Sequence, residues 1–211
     1  MLCTCPLGSE ITDIFIDTCP EEVGQIQKIL VQRVFSAAGV KNSLTIASAN
    51  PNVLATWTTL LAASDSTKVV QTPFLTNPVV EPGAPRTFGG GNATLGGVEI
   101  IVGREPTQFT AAFLSASQRS IKALKEIMCE TIGVYLIDEY GRIIGISNNI
   151  ATPTIFYPIP VHGFFVGDKK LGGLEEPDMN MMQFSFYPNW SDNLYIVTPT
   201  NFDALTALVT P

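Results

Sequence analysis

The stretch from Thr107 to Ile146 constrains the fold most, because it reads as strand, helix and hairpin in unbroken succession. Gln108 to Leu114 alternates, with Phe109, Ala111 and Phe113 on one side and Gln108, Thr110 and Ala112 on the other, as in a half-buried strand. Ser115 and Ser117 are N-cap candidates, since a short hydroxyl side chain can accept from the open N–H groups of a first helical turn. Ile121, Leu124, Ile127 and Met128 follow at helical spacing, with Lys122 and Lys125 on the wet side and Gly133 read as lying just past the helix end. Val134 to Ile137 and Ile143 to Ile146 read as strands joined by Asp138-Glu139-Tyr140-Gly141-Arg142, where Gly141 supplies the left-handed conformation a tight turn needs. The unit is scaffold, with no reactive group placed for chemistry.

The rest of the chain is read around this unit. Residues 1–24 hold Cys3, Cys5 and Cys19 with two Cys-Pro pairs and no clean period. Pro20-Glu21-Glu22 would open a helix, but Gly24 follows too soon. Gln25 to Phe35 is rich in β-branched residues and reads as a strand in preference to a helix. Asn50-Pro51 reads as a helix start, followed by the apolar stripe Val53, Leu54, Trp57, Leu60 and Leu61, ending near Ala63. Thr67 to Thr72 and Gly97 to Val102 read as strands. Between them lies a Pro/Gly-rich segment without apparent structure, of a length that in a compact domain signals function or an arm reaching a neighbour. Thr154 to Val166, Met179 to Tyr187 and Asn193 to Thr198 read as further strands, and Gly167 to Asp178 as a loop. Thr200 or Asn201 would cap a short terminal helix carrying Phe202, Leu205 and Leu208. The expected fold class is α+β: a mostly antiparallel β-sandwich or curled sheet with two or three helices packed on it. One structural domain spans 1–211, with 73–97 as an extended arm and 1–24 as an N-terminal segment.

Charge decides what such a domain does with its surface. Charged residues make up 15% of the 211, against ~25% in ordinary soluble domains, and the mean hydropathy is +0.25. A surface this poor in ions is most simply explained by coverage from other subunits. The net charge of −7 argues against a general affinity for phosphate backbones, which needs clustered Lys and Arg. It is compatible with DNA as a passing cargo, since an acidic wall repels the duplex and does not hold it. Met1-Leu2-Cys3-Thr4-Cys5-Pro6 lacks the basic and apolar regions of a signal peptide, so folding in a cytoplasm is expected. The two long stretches without ionisable Asp, Glu, Lys or Arg, Asn42 to Ser64 and Ile143 to Gly167, are broken by prolines and polar residues, and no membrane span is expected.

No catalytic constellation is visible. Cys3, Cys5, Cys19 and Cys129 would make a zinc site only if a Cys-x-Cys pair, which is not a usual knuckle, met a distant fourth ligand; reduced thiols are the expectation, with Cys129 at the end or packed face of its helix. His162, the single histidine, lies in a strand with no nucleophile elbow beside it and is expected to be partly packed. Phe88-Gly89-Gly90-Gly91-Asn92-Ala93-Thr94 has the glycine content of a phosphate loop but neither its Lys nor its spacing. Glu175, Glu176 and Asp178 lack the pattern of a calcium loop and read as solvated acids. Neither cofactor nor metal is expected.

Four blocks, Gly24-Gln25-Ile26-Gln27-Lys28-Ile29, Phe88 to Glu99, Cys129 to Gly145 and Phe165 to Asp178, are similar to structural proteins of tailed bacteriophages, of the tail-tube or tail-ring type. The resemblance implies subunits that close into rings, often of six, built from a β-sandwich or curled sheet plus a helix, with loops spanning neighbours. It implies other virion tail proteins as partners and supplies no catalytic residue. The Cys-rich N-terminus departs from a minimal tube subunit. The expected function is therefore a non-enzymatic virion component, made in the host cytoplasm and assembling into tail rings that form a channel for DNA. Phe74, Val79, Phe88 and Trp190 are the candidate interface residues, with Glu175 and Glu176 lining or joining rings. Two other classes stand beside it: a monomeric carbohydrate- or host-surface-binding module stacking ligand on Trp57 and Trp190, and a metal-dependent hydrolase using the cysteines or His162.

Overall fold

A computed structural model describes Ile14 and residues 22–209. Cys3, Cys5, Cys19 and nearly all of the N-terminal segment 1–24 lie outside the described residues. In chain order the elements are β1 (Ile26–Arg33), β2 (Phe35–Ala37), β3 (Val40–Lys41), β4 (Leu44–Thr45), α1 (Leu54–Ala62), β5 (Val69–Gln71), β6 (Thr76–Glu81), β7 (Pro85–Gly89), β8 (Glu99–Arg104) and β9 (Thr107–Leu114). Then come α2 (Gln118–Glu126), β10 (Ile132–Asp138), β11 (Ile143–Ser147), β12 (Ile155–Tyr157), β13 (Ile159–Lys170), β14 (Met179–Phe186), β15 (Leu194–Val197) and α3 (Ala204–Ala207). Every strand pairing is antiparallel, and the class is α+β with a curled sheet.

The sheet curls because it forks at β10. Along one edge β10 pairs with β1 from Ile132 to Asp138. The other edge is shared: Gly133 and Val134 pair with β13, while Leu136 and Ile137 pair with β11. One branch runs β11-β12-β4, with β15 also on β11; the other runs β13-β14-β9-β6. All seven residues of β10 are buried. Ile132, Val134 and Leu136 enter the larger core with Phe109, Phe113, Phe184 and the helix residues Ile121 and Leu124. Tyr135 and Ile137, on the opposite face, enter a second core with Trp57 and Leu61 of α1 and Leu208 just past α3. A strand covered on both faces reads as a continuous apolar run, which is why Ile132 to Ile137 shows little alternation.

A bulge carries β13 around the larger core. Ile159 and Val161 point inward, then Phe164 and Val166 do, so the inward set changes from odd to even numbers across Gly163. Gly163 has a φ of +65°, and the register slips between His162 and Phe165. One extra residue at a left-handed glycine flips the side-chain phase, and the strand bends where it does so.

Several expectations change. The segment after Thr72 is not structureless: β6 joins the sheet beside β9, and β7 pairs with β8 in a separate two-stranded hairpin. Helix α1 begins at Leu54; Asn50 instead closes a turn, its carboxamide oxygen accepting from the Asn52 N–H, and Val53 at the cap position offers no side-chain acceptor. Gly133 is no helix cap but a strand residue pressed against Pro158, where an added Cβ would lie 2.8 Å from the ring. The terminal helix is capped by Asp203, which accepts from the Leu205 N–H at 2.9 Å, and not by Thr200 or Asn201. Of the two serines ahead of α2, Ser117 is the cap, accepting from the Ser120 N–H, while Ser115 takes a positive φ and its backbone N–H donates to the Asp178 carbonyl.

Candidate interaction surface

Among the described residues the β7–β8 hairpin bonds only to itself along its length, since the two strands form a sheet of their own. Phe88, Val98, Ile101, Val102 and Leu95 at the tip are all exposed, Leu95 completely so. The run Ile100-Ile101-Val102 puts apolar side chains on both faces of the ribbon, so neither face is simply the wet one. A two-stranded hairpin is marginal by itself in water, and one with apolar residues on both faces is short of a partner. At its base Arg86 lies 3.7 Å from Glu105, an exposed pair of small worth. Gly89, Gly90, Gly91, Gly96 and Gly97 all hold positive φ, which lets the connection between the two strands coil into two short 3-10 turns.

A second surface lies on the outer face of β13, β14, β9 and β6. Cross-strand register sets its rows: Phe165, Gln183, Thr110 and Val79 in one; Met181, Ala112 and Thr76 in the next; His162, Ser185, Gln108 and Glu81 in a third. Glu81 is the one carboxylate in these rows. Phe165, Met181 and Val79 are about half exposed. Strand β6 ends this branch, and Pro78 within it withholds an N–H from the open edge.

The six predicted interface residues do not form one patch. Val79 sits on the outer sheet face and Phe88 on the hairpin. Phe74 is exposed just ahead of β6, with the Lys28 Nζ 4.1 Å from its ring centroid. That ammonium also donates to the Leu205 carbonyl at 2.6 Å, and burial pushes its pKa down from the ordinary lysine value. Trp190 is half-buried, with one face spent on Phe186 at a centroid distance of 4.2 Å. Glu175 and Glu176 are exposed in the loop between β13 and β14, and Glu176 accepts from Lys170 at 2.8 Å, which holds its carboxyl below the usual range. The residues missed were Ile100, Ile101 and Val102 of the hairpin and Phe165 and Met181 of the sheet face. An apolar run without alternation, next to a glycine cluster, was the available signal for the first three.

The other predicted residues fall elsewhere. Trp57 is fully buried and donates its indole N–H to the Pro51 carbonyl at 2.8 Å, so it cannot stack on a ligand. His162 is exposed, where partial packing was expected, with its ring 4.9 Å from that of Tyr187; it takes the outward phase of β13 by alternation with the inward Ile159 and Val161, ahead of the bulge. Cys129 is exposed in the 3-10 turn after α2. Among the described residues no three His, Cys, Asp or Glu side chains are grouped to hold a metal ion, and no helix is long and apolar enough to cross a membrane.

No protein-family model and no curated protein matches this chain. Among solved structures it is similar to a chain of the anti-feeding prophage (AFP) baseplate, a 6-fold symmetrised cryo-EM structure, at 8% identity and a TM-score of 0.31, over 88% of this chain and 100% of that one. A likeness of this size carries no argument about what the chain does.

Proposed function

We propose that this protein is a non-enzymatic virion structural subunit of a tailed bacteriophage that assembles with copies of itself into rings of the tail. The observation that carries the reading is the β7–β8 hairpin, a ribbon with apolar residues on both faces that pairs with no other strand among the described residues. The sequence resemblance to tail-tube and tail-ring proteins supports it, as does a charged fraction of 15%. In this reading the hairpin of one subunit lies across the outer face of β13, β14, β9 and β6 on the next. The sheet-face rows carry one carboxylate, Glu81, and the charges of the hairpin, Arg86, Glu99 and Arg104, sit toward the ends of its strands, so joining the apolar middle of the hairpin to that face strips little hydration from charge. Because hairpin and sheet face are different patches, the contact is head-to-tail, and such contacts close into rings when the rotation per subunit divides a full turn. The acidic balance of the chain suits a channel through which DNA moves without adhering.

Sedimentation velocity on the full chain and on Ile101→Glu tests this. The wild type is expected to sediment as an oligomer whose share grows with concentration, and Ile101→Glu as a monomer with unchanged circular dichroism. A wild type that stays monomeric at every concentration, alone and with tail partners, contradicts it.

A further inference from the structure

Away from these apolar surfaces, α2 and the far ends of β13 and β14 enclose a cleft of about 250 Å³ whose walls include Lys122, Lys125, Asp168, Lys169 and Asn180. Asn180 points into the protein from β14: it is 2% exposed and pairs in register with the fully buried Phe113. Its Nδ2 donates to the Gly167 carbonyl at 3.1 Å, which fixes the amide, since the flipped form would set two oxygens against each other. The buried Oδ1 is then left without a hydrogen-bond partner among the described residues. Native interiors seldom leave such an oxygen unmet, and one that lines a cleft marks a place for a donor from outside.

The charges around it have the opposite preference. Lys125 is paired with Asp168, whose carboxylate is almost wholly exposed, and Lys169 lies 3.7 Å from Asp178. Lys122 pairs with no carboxylate among the described residues. The cleft thus carries a cationic surplus in a chain whose net charge is −7. Lysines only donate, and the Asn180 oxygen only accepts. A complementary ligand brings an anionic group for the lysines and a hydrogen-bond donor for the oxygen, and a polyhydroxylated anion offers both. The cleft is much larger than an inorganic anion and close to the small end of ligand sites.

We propose that this cleft binds a hydroxylated anion of monosaccharide size, a sugar phosphate or uronate, with a ligand hydroxyl donating to Asn180 Oδ1 and the anion held by Lys122 and Lys125. The oxygen is screened from solvent, so a ligand hydroxyl reaches it by displacing side chains that line the cleft. The site does not depend on the assembly reading and stands or falls separately.

The test is a titration of the ¹⁵N-labelled full chain, following the Asn180 side-chain amide, with glucose 6-phosphate, glucuronate, glucose and inorganic phosphate as probes. Glucose 6-phosphate or glucuronate is expected to shift the Asn180 amide saturably. Glucose and inorganic phosphate should each bind about tenfold more weakly, the worth of one charge-assisted hydrogen bond. Lys122→Glu is expected to weaken the better probe by about the same factor with melting unchanged, because this lysine is exposed. An Asn180 amide that neither sugar acid moves overturns the proposal, as does inorganic phosphate binding as tightly as glucose 6-phosphate. Should the variant fold poorly, the wild-type titration still decides.

Discussion

Asp138 and Arg142 close the β10–β11 hairpin through a single carboxylate oxygen: Arg142 Nε donates to Asp138 Oδ2 at 2.7 Å, and Nη2 lies 2.6 Å from the same atom. Oδ1 accepts the backbone N–H groups of Tyr140 and Arg142 at 3.1 and 2.9 Å. Arg142 Nη2 also donates to the Glu22 carbonyl, and the Gly24 N–H reaches Oδ2, so the turn anchors the chain ahead of β1. Asp138 is fully buried, and its pairing with Arg142 therefore does more than an exposed ion pair would.

Asp138→Ala takes the carboxylate away from the Arg142 guanidinium and from three backbone N–H groups, those of Gly24, Tyr140 and Arg142. It is expected to destabilise the fold by about 3 kcal/mol, the scale for breaking a buried pair. Urea unfolding at neutral pH measures it; a loss no greater than that of an exposed ion pair would contradict the role given to this turn.

Gly163→Ala tests the bulge in β13. A Cβ there meets nothing within 4 Å, so the cost is purely that of an L side chain at a φ of +65°, about 1–2 kcal/mol. Gly133→Ala, in contrast, drives a Cβ to 2.8 Å from Pro158 at the fork of the sheet, and overpacking there costs about 1–3 kcal/mol with a shift in strand pairing. Thermal unfolding ranks the two, and hydrogen exchange in β13 separates them: only the second variant should loosen the β10–β13 bonds.

Trp57→Ala should remove about 3–5 kcal/mol, since the ring is fully buried, meets Tyr135 edge-on and holds the Pro51 carbonyl. Sugars should leave the emission of Trp57 unquenched. Quenching that disappears in Trp57→Phe would restore the ligand-stacking role that burial argues against.

Acid stability has a fixed sign. A hydrogen bond from Arg33 holds the Glu130 carboxyl below its usual value, and Lys125 and Lys170 do the same for Asp168 and Glu176. Each carboxyl is thus more acidic folded than unfolded, so its contribution is present above the unfolded carboxylate range, about pH 4, and fades as pH falls through the lower folded value. Arg33→Gln should lower the urea midpoint at neutral pH more than in acid, since protonation of Glu130 as the pH falls removes the pair from the wild type. An equal difference at both pH values would contradict this.

Local chemistry made part of this fold legible. The alternation of Phe109, Ala111 and Phe113, the Ser117 cap and the left-handed Gly141 are written in adjacent residues, and all stand where they were read. The pairing of β1 with β10 joins residues about a hundred positions apart, and nothing local encodes it. That is also why Gly133, a tight-packing strand glycine, looked like a helix stop. The hairpin was half hidden, because Pro85 and Gly89 bound a five-residue strand with no period. The cleft beneath α2 was invisible, as Asn180 reads as one more polar strand residue until the helix covers it.

A chain whose apolar hairpin is exposed in the single subunit is built to meet copies of itself. Negative-stain imaging of the purified full chain at high concentration tests that directly: annular particles of uniform diameter are predicted, lost in Ile101→Glu. Fields of single small particles in the wild type, at every concentration reached, would contradict it.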